Sequence, residues 1–186
     1  MVEAILYPTK PLHDVADFVG NHVSITEIHD LQMVGLAAPK GGADHLRRMV
    51  RQSWGLDLPQ TPRRVASETL GFIWAGPQRW MVTSQRSGDL AQELRRGLGD
   101  CIITDQTDSR SLLRVSGQKS REVLMKLLSI DLHPRVFGPG HTALTMAAHV
   151  NLQIWQLDDA PSYELCVFRS YADYFHHALR SAAAAV

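Results

Sequence analysis

From residue 32 onward, short apolar runs alternate with apolar stripes at helical spacing, and their order restricts the fold more than any single motif does. Leu46, Met49, Val50 and Trp54 fall at i, i+3, i+4 and i+8, with Asp44 as the expected N-cap and Gly55 as the stop. Leu90, Leu94 and Leu98 make a second stripe, entered at Asp89 and left through Gly99. Val123, Leu124, Leu127 and Leu128 make a third. Tyr171, Tyr174, Phe175, Ala178 and Leu179 make a fourth, with Ser170 and Asp173 spaced as a capping box. Between these stripes lie strand-like runs at 32–38, 67–74, 79–84, 101–105, 111–115, 142–149, 150–157 and 162–168. Gly76-Pro77 turns the second run into the third as a hairpin, and Tyr163, Leu165 and Val167 share one face of the last run.

The order is β-α-β-β-α-β, then β-α-β-β-β-α, which is the split βαβ arrangement written about twice. The expected fold is therefore α+β, with two tandem ferredoxin-like units whose helices cover one face of each sheet. Residues 1–30 read as an N-terminal extension and a candidate partner-binding segment, 31–100 as the first unit and 101–186 as the second. The two units are expected to pack as one compact domain.

Composition excludes several classes. Among 186 residues, 19 basic side chains balance 19 acidic ones, so no cationic surplus exists to displace counterions from nucleic-acid phosphates. With 45% hydrophobic and 20% charged residues the chain reads as globular, not disordered. No run approaches the roughly 18 apolar residues of a membrane span. Glu3 stands where a signal peptide carries basic residues, so the expected location is cytoplasmic. Cys101 and Cys166, both in apolar runs, read as free thiols, with a disulfide between them left open.

Chemistry-bearing patterns are missing. Ser116-Gly117-Gln118-Lys119-Ser120 places a residue between glycine and lysine and has Leu112 where a phosphate loop needs its first glycine. No Gly-x-Gly-x-x-Gly follows a strand. His176 and His177 are adjacent, hence about 100° apart on a helix, and His141 and His149 sit at opposite ends of one run. His13, His22, His29 and His45 lack partners at metal-ligand spacing. No nucleophile elbow is present, and Asp105 with Asp108 reads as a polar turn beside Arg110. No catalytic, cofactor-binding or metal residue is therefore expected in this chain. The connection 130–141 differs, because two prolines and two glycines restrict it while Leu132, His133, Arg135 and Phe137 are offered together. These four are interface candidates, the alternative being that Leu132 and Phe137 plug the core beneath the loop.

Several stretches carry a family resemblance. They are Asp105-Gln106-Thr107-Asp108-Ser109-Arg110 with its following strand to Gly117, Arg169-Ser170-Tyr171-Ala172, and the Trp74-Ala75-Gly76-Pro77 turn. The most specific is Ile130-Asp131-Leu132-His133-Pro134-Arg135-Val136-Phe137-Gly138-Pro139-Gly140. Together they resemble the gamma subunits of heterotetrameric sarcosine oxidases, with Thr107 where that family has serine. The resemblance implies a fold like the N-terminal part of aminomethyltransferase-type folate proteins. It implies a non-catalytic accessory subunit whose alpha, beta and delta partners hold FAD, FMN, NAD and tetrahydrofolate. The complex would demethylate sarcosine to glycine, with hydrogen peroxide and methylene-tetrahydrofolate as further products. Arg169 and Tyr171 join the interface candidates on this ground, and Asp105 with Arg110 reads as a structural turn whose charges balance. The alternatives are a stand-alone folate- or one-carbon-binding protein, and the equivalent subunit of a related N-methyl amino acid oxidoreductase.

Overall fold

A computed structural model describes residues 10–12 and 17–186. The rest of the expected N-terminal extension, His13 included, lies outside the described residues. In chain order the strands and helices are β1 (Phe18–Val19), β2 (Ser24–Glu27), β3 (Gln32–Ala37), α1 (Ala43–Trp54), β4 (Arg64–Ala66), β5 (Leu70–Trp74), β6 (Arg79–Ser84) and α2 (Leu90–Leu98). They continue with β7 (Ile102–Asp105), β8 (Arg110–Ser116), α3 (Ser120–Met125), β9 (Thr142–Ala147), β10 (Val150–Asp158), β11 (Ser162–Phe168) and α4 (Ala172–Ala183).

The helix boundaries follow local chemistry. Gly55 closes α1 in the left-handed conformation, and its N–H reaches the Arg51 carbonyl. Asp89 caps α2 by accepting the Gln92 N–H at 2.9 Å. Two expected caps differ. Helix α1 begins two residues early, with Gly42 at the cap position, so Asp44 sits in the first turn and pairs there with Arg47. Ser170 does not cap α4, because a 3₁₀ turn over Arg169–Tyr171 leads into the helix and bonds the Ala172 N–H to the Arg169 carbonyl. Helix α3 is shorter than its apolar stripe, and Leu128 instead bridges to Ala147.

Among the described residues the strands form two antiparallel sheets, one ordered β4-β5-β6-β3-β7 and the other β1-β2-β8-β11-β10-β9. The first is a complete split βαβ unit: β6 lies beside β3 and separates it from β5, and β7 closes the other side. Side chains alternate as strand geometry requires. Val34, Leu36, Phe72 and Val82 point toward α1 and α2, while Met33, Ile73 and Met81 point to the opposite sheet. In the second sheet Leu113, Val115, Ile154 and Leu165 pack with α3 and α4 residues, and Leu112, Trp155 and Cys166 meet the first sheet. The result is helices, sheet, sheet, helices.

Two segments fall in other sheets than their sequence positions suggest. The run 101–105, last in the β-α-β-β-α-β order but beyond the expected boundary at residue 100, pairs through β7 with β3, so the crossing between sheets comes at residues 106–109. Within the expected extension, β2 pairs antiparallel with β8, placing Ile25 opposite Val115 and joining Ser24 Oγ to Ser116 Oγ at 2.8 Å. It occupies the position that a strand after α4 would hold in a split βαβ unit. The second unit is thus completed from the N-terminal side of the first, and the two units interleave. Gly117 permits the closure: its φ is +112°, and a Cβ there would lie 2.3 Å from the His22 carbonyl oxygen. The two cysteines are free thiols, Cys166 buried between the sheets and Cys101 partly buried beside the α2 core.

If β2 is part of the second core, removing its fully buried side chain is costly. Ile25→Ala is expected to lower unfolding stability by about 2–4 kcal/mol, measured by urea denaturation. A value within about 0.5 kcal/mol of the parent, as for a surface site, would mean that this strand is a detachable extension.

Candidate functional site

The two sheets meet through Met33, Ile73, Met81, Leu112, Trp155 and Cys166. Next to this apolar contact the buried Glu164 meets the partly exposed Arg114. Arg114 donates through Nε and Nη2 to Glu164 Oε1 at 3.2 and 2.5 Å, and Trp155 Nε1 donates to Glu164 Oε2 at 2.6 Å. Both carboxylate oxygens are therefore engaged, which makes an acid tolerable at this depth. Arg64 lies nearby, its pKa lowered chiefly by burial, with Glu164 opposing and Arg114 adding to that effect. Gln153 Nε2 ties the second sheet to the Trp74 carbonyl of the first at 2.8 Å.

The 130–141 segment is organised mostly by itself. Leu132 and Phe137 are buried in the second core, so they take the core-plug role and offer no surface to a partner; each contributes about 1.5–3 kcal/mol. Asp131 Oδ1 accepts the His133 N–H at 2.8 Å, and the His133 carbonyl accepts from Val136 and Phe137. Gly140, at φ +75°, accepts from Arg64 N–H and donates to the Gln156 carbonyl, joining β4 to β10. His133, Arg135 and Tyr171 are exposed, and Arg169 is half-buried. The structure does not bring these four together with Leu132 and Phe137 into one face.

The expected Asp105–Arg110 turn forms with a different partner for the arginine. Asp105 Oδ1 accepts the Thr107 N–H at 2.9 Å. Arg110 instead donates to Gln106 Oε1 at 3.0 Å and lies 3.7 Å above the Phe168 ring centroid. Thr107 Oγ1 accepts the Met33 N–H, so its hydroxyl extends β3 pairing into the crossing turn. On the turn's far side, Glu27, His29, Arg86 and Arg169 border a second groove of about 590 Å³.

One groove has no signal in the sequence. Where β7 and β9 run past the sheet–sheet contact, the inner faces enclose an open groove of about 760 Å³. Gly35 and Ala37 of β3 leave it wide on one side, and Ile102, Leu144, Met146 and Phe168 stand at its mouth. These four large side chains are 43–61% exposed. In sequence they are ordinary strand positions; only the pairing, which puts β7 and β9 at sheet edges, gathers them. Cys166 lies at the bottom, its thiol pushed up to about 11 by burial. Among the described residues no three histidine, cysteine or acidic side chains are grouped to hold a metal, and no helix is long and apolar enough to cross a membrane.

Two facing sheets, each backed by helices and built as interleaved ferredoxin-like units, are a fold shared with part of a solved glycine-cleavage aminomethyltransferase. The aminomethyltransferase T structure from Bartonella henselae superposes with a TM-score of 0.59 over 85% of this chain and 45% of that one, at 13% identity. A structure of heterotetrameric sarcosine oxidase from Corynebacterium sp. U-96 superposes at 0.78 over 89% and 86% of the two chains, at 24% identity. Residues 41–185 match the family model described as sarcosine oxidase, gamma subunit family. The sarcosine oxidase subunit gamma of an Arthrobacter species is 31% identical over 147 residues, 77% of this chain and 71% of that one. A subunit gamma from Corynebacterium sp. strain P-1 matches at the same identity and coverage. The chain belongs to the sarcosine oxidase gamma subunit family.

Glu164 accepts from both Trp155 and Arg114 in a place water barely reaches. Glu164→Ala is expected to destabilise the chain by about 2 kcal/mol, since it strands the buried Trp155 N–H and removes the partner of the partly exposed Arg114, again measured by urea denaturation. A loss under about 1 kcal/mol, typical of exposed pairs, would mean that this cluster adds little to the cohesion of β8, β11 and β10.

Proposed function

We propose that this chain is a non-catalytic gamma subunit that assembles and stabilises a heterotetrameric, flavin-dependent sarcosine oxidase. The observation carrying this reading is the cluster of four large, half-exposed apolar side chains around one groove, in a chain of the gamma family. Exposed apolar surface gathered in one place is costly alone and is stabilised when a partner covers it. On this reading the alpha, beta and delta subunits hold FAD, FMN, NAD and tetrahydrofolate. The complex demethylates sarcosine to glycine, producing hydrogen peroxide and methylene-tetrahydrofolate. A cytoplasmic location belongs to the same reading, supported by two free thiols.

A groove between two ferredoxin-like units also suits a stand-alone folate- or one-carbon-binding protein. Against that reading, the two glutamines at the groove already have internal partners. Gln153 donates to Trp74, and Gln106 accepts from Arg110, which in turn covers Phe168. A ligand's polar atoms would have to displace these bonds.

Purification of the tagged chain from its host, with mass spectrometry and an absorption spectrum, tests the assignment. Stoichiometric larger chains, a flavin spectrum and sarcosine-dependent peroxide formation are expected. Oxidation of another N-methyl amino acid in its place would move the substrate and keep the subunit role. A lone colourless chain that binds tetrahydrofolate would overturn the reading.

The exposed loop residues His133 and Arg135, with Tyr171 and Arg169, are proposed as the rim of the interface. Rim contacts contribute little each, so His133→Ala with Arg135→Ala is expected to lower recovered complex about two- to fivefold. The thermal midpoint of the isolated chain should stay unchanged. Unchanged recovery would exclude this loop from the interface.

A further inference from the structure

Resting on the assembly reading, we propose that the inter-sheet groove receives an extended segment of a larger partner subunit, with alternating apolar side chains and a carboxylate beside them. Three observations on the groove select that occupant.

The first is backbone geometry. Among the described residues β7 pairs only with β3, and β9 only with β10, so both walls present unpaired strand edges to the opening. An extended chain satisfies such an edge with its own N–H and C=O groups, which a compact side-chain plug or a helix does not do.

The second is side-chain period. Leu144 and Met146 lie two residues apart on β9, and Ile102 and Thr104 two apart on β7, all on the groove-facing sides of their sheets. An occupant with period-two apolar side chains meets both rows. Gly35 and Ala37 supply the space for its inserted side chains, because they carry almost no bulk where Met33 fills the same face further along.

The third is charge. Arg79 and Arg110 line the groove, and no aspartate or glutamate does among the described residues. Arg110 is held in place by Gln106 and the Phe168 ring, so its guanidinium is preorganised toward the opening. A carboxylate on the incoming segment is the complementary group. A small aromatic acid shares that chemistry, yet it would leave most of the four exposed apolar side chains uncovered. Neither edge would gain a strand.

The test uses the chain co-expressed with its partner subunits. A photo-reactive phenylalanine analogue is installed in place of Leu144 or, separately, Ile102, and cross-links in the assembled complex are mapped by mass spectrometry. Both positions are expected to reach one short segment of a larger subunit, with apolar residues at every second position and an Asp or Glu among them. Leu144→Glu with Met146→Glu should reduce recovered complex at least about tenfold. The isolated variant should keep its thermal midpoint, because both side chains are already half exposed. Full recovery with both glutamates overturns the proposal. So do cross-links to residues 1–9 of this chain, to a second copy, or to a helix, and so does a small molecule found in the groove by native mass spectrometry. Complex assembled through other surfaces would overturn the groove alone, whereas absence of any complex with the parent chain would overturn the assembly reading beneath it.

Discussion

The face-to-face contact of two sheets around Trp155 is the constraint on which the rest of the structure depends. Trp155 is fully buried, and its indole N–H cannot be left unpaired there, so Glu164 must be brought in to accept it. A buried carboxylate then needs a cation, and Arg114, across the β8–β11 pair, supplies one. The polar cluster ties β8, β11 and β10 of the second sheet and fixes Trp155 among them, while the Gln153–Trp74 hydrogen bond beside the apolar contact crosses to the first sheet. Beyond the contact, β3 offers Gly35 and Ala37 in place of bulk, and the inner faces separate into the groove. Tight packing at one end and an open groove at the other have one cause, the change of side-chain volume along β3.

The same contact explains the interleaved chain path. With its helices outside and its inner face committed to the other sheet, the second unit still needs a strand beside β8. A strand following α4 would have to come from beyond the helix. The segment that leads into β3 is already close, and β2 fills the position with Ile25 at the centre of the core. The crossing turn at 106–109 does the return work. Gln106 N–H bonds the Met33 carbonyl and Thr107 Oγ1 accepts the Met33 N–H, so the chain leaves the first sheet only after prolonging its pairing.

Local grammar was legible in the sequence, and long-range placement was not. The periods of Leu46–Trp54 and Leu90–Leu98, the Gly76 hairpin and the β-α-β-β order are local properties, and each of them stands in the structure. Asp44 and Ser170 show the limit of cap reading, since neighbouring glycine or a 3₁₀ turn can meet the same need by backbone alone. Membership of a sheet depends on partners more than sixty residues away: nothing in Ser24–Glu27 names β8, and nothing in Ile102–Asp105 says it belongs with β3. The groove was invisible for that reason. Leu144 and Ile102 look like core residues until the strand order makes both of them edges.

The stretches that carry the family resemblance have a common character. Thr107 and Asp105 build the sheet-to-sheet crossing, Gly117 admits the N-terminal strand, and Leu132 and Phe137 fill the second core. Gly140 joins β4 to β10, Trp74 receives Gln153, and Ala172 is buried at the start of α4. The crossing turn, Gly140 and Trp74 join the two units, and the other groups complete the core and the sheet of the second. The motifs therefore meet at the joints between the units and in the second core. Arg110 is the instructive case, because it braces the crossing turn through Gln106 and also faces the groove from above Phe168. A residue that sets the alignment of the sheets thereby sets the charge and width of the opening, which ties the family's signature to the surface a partner would meet.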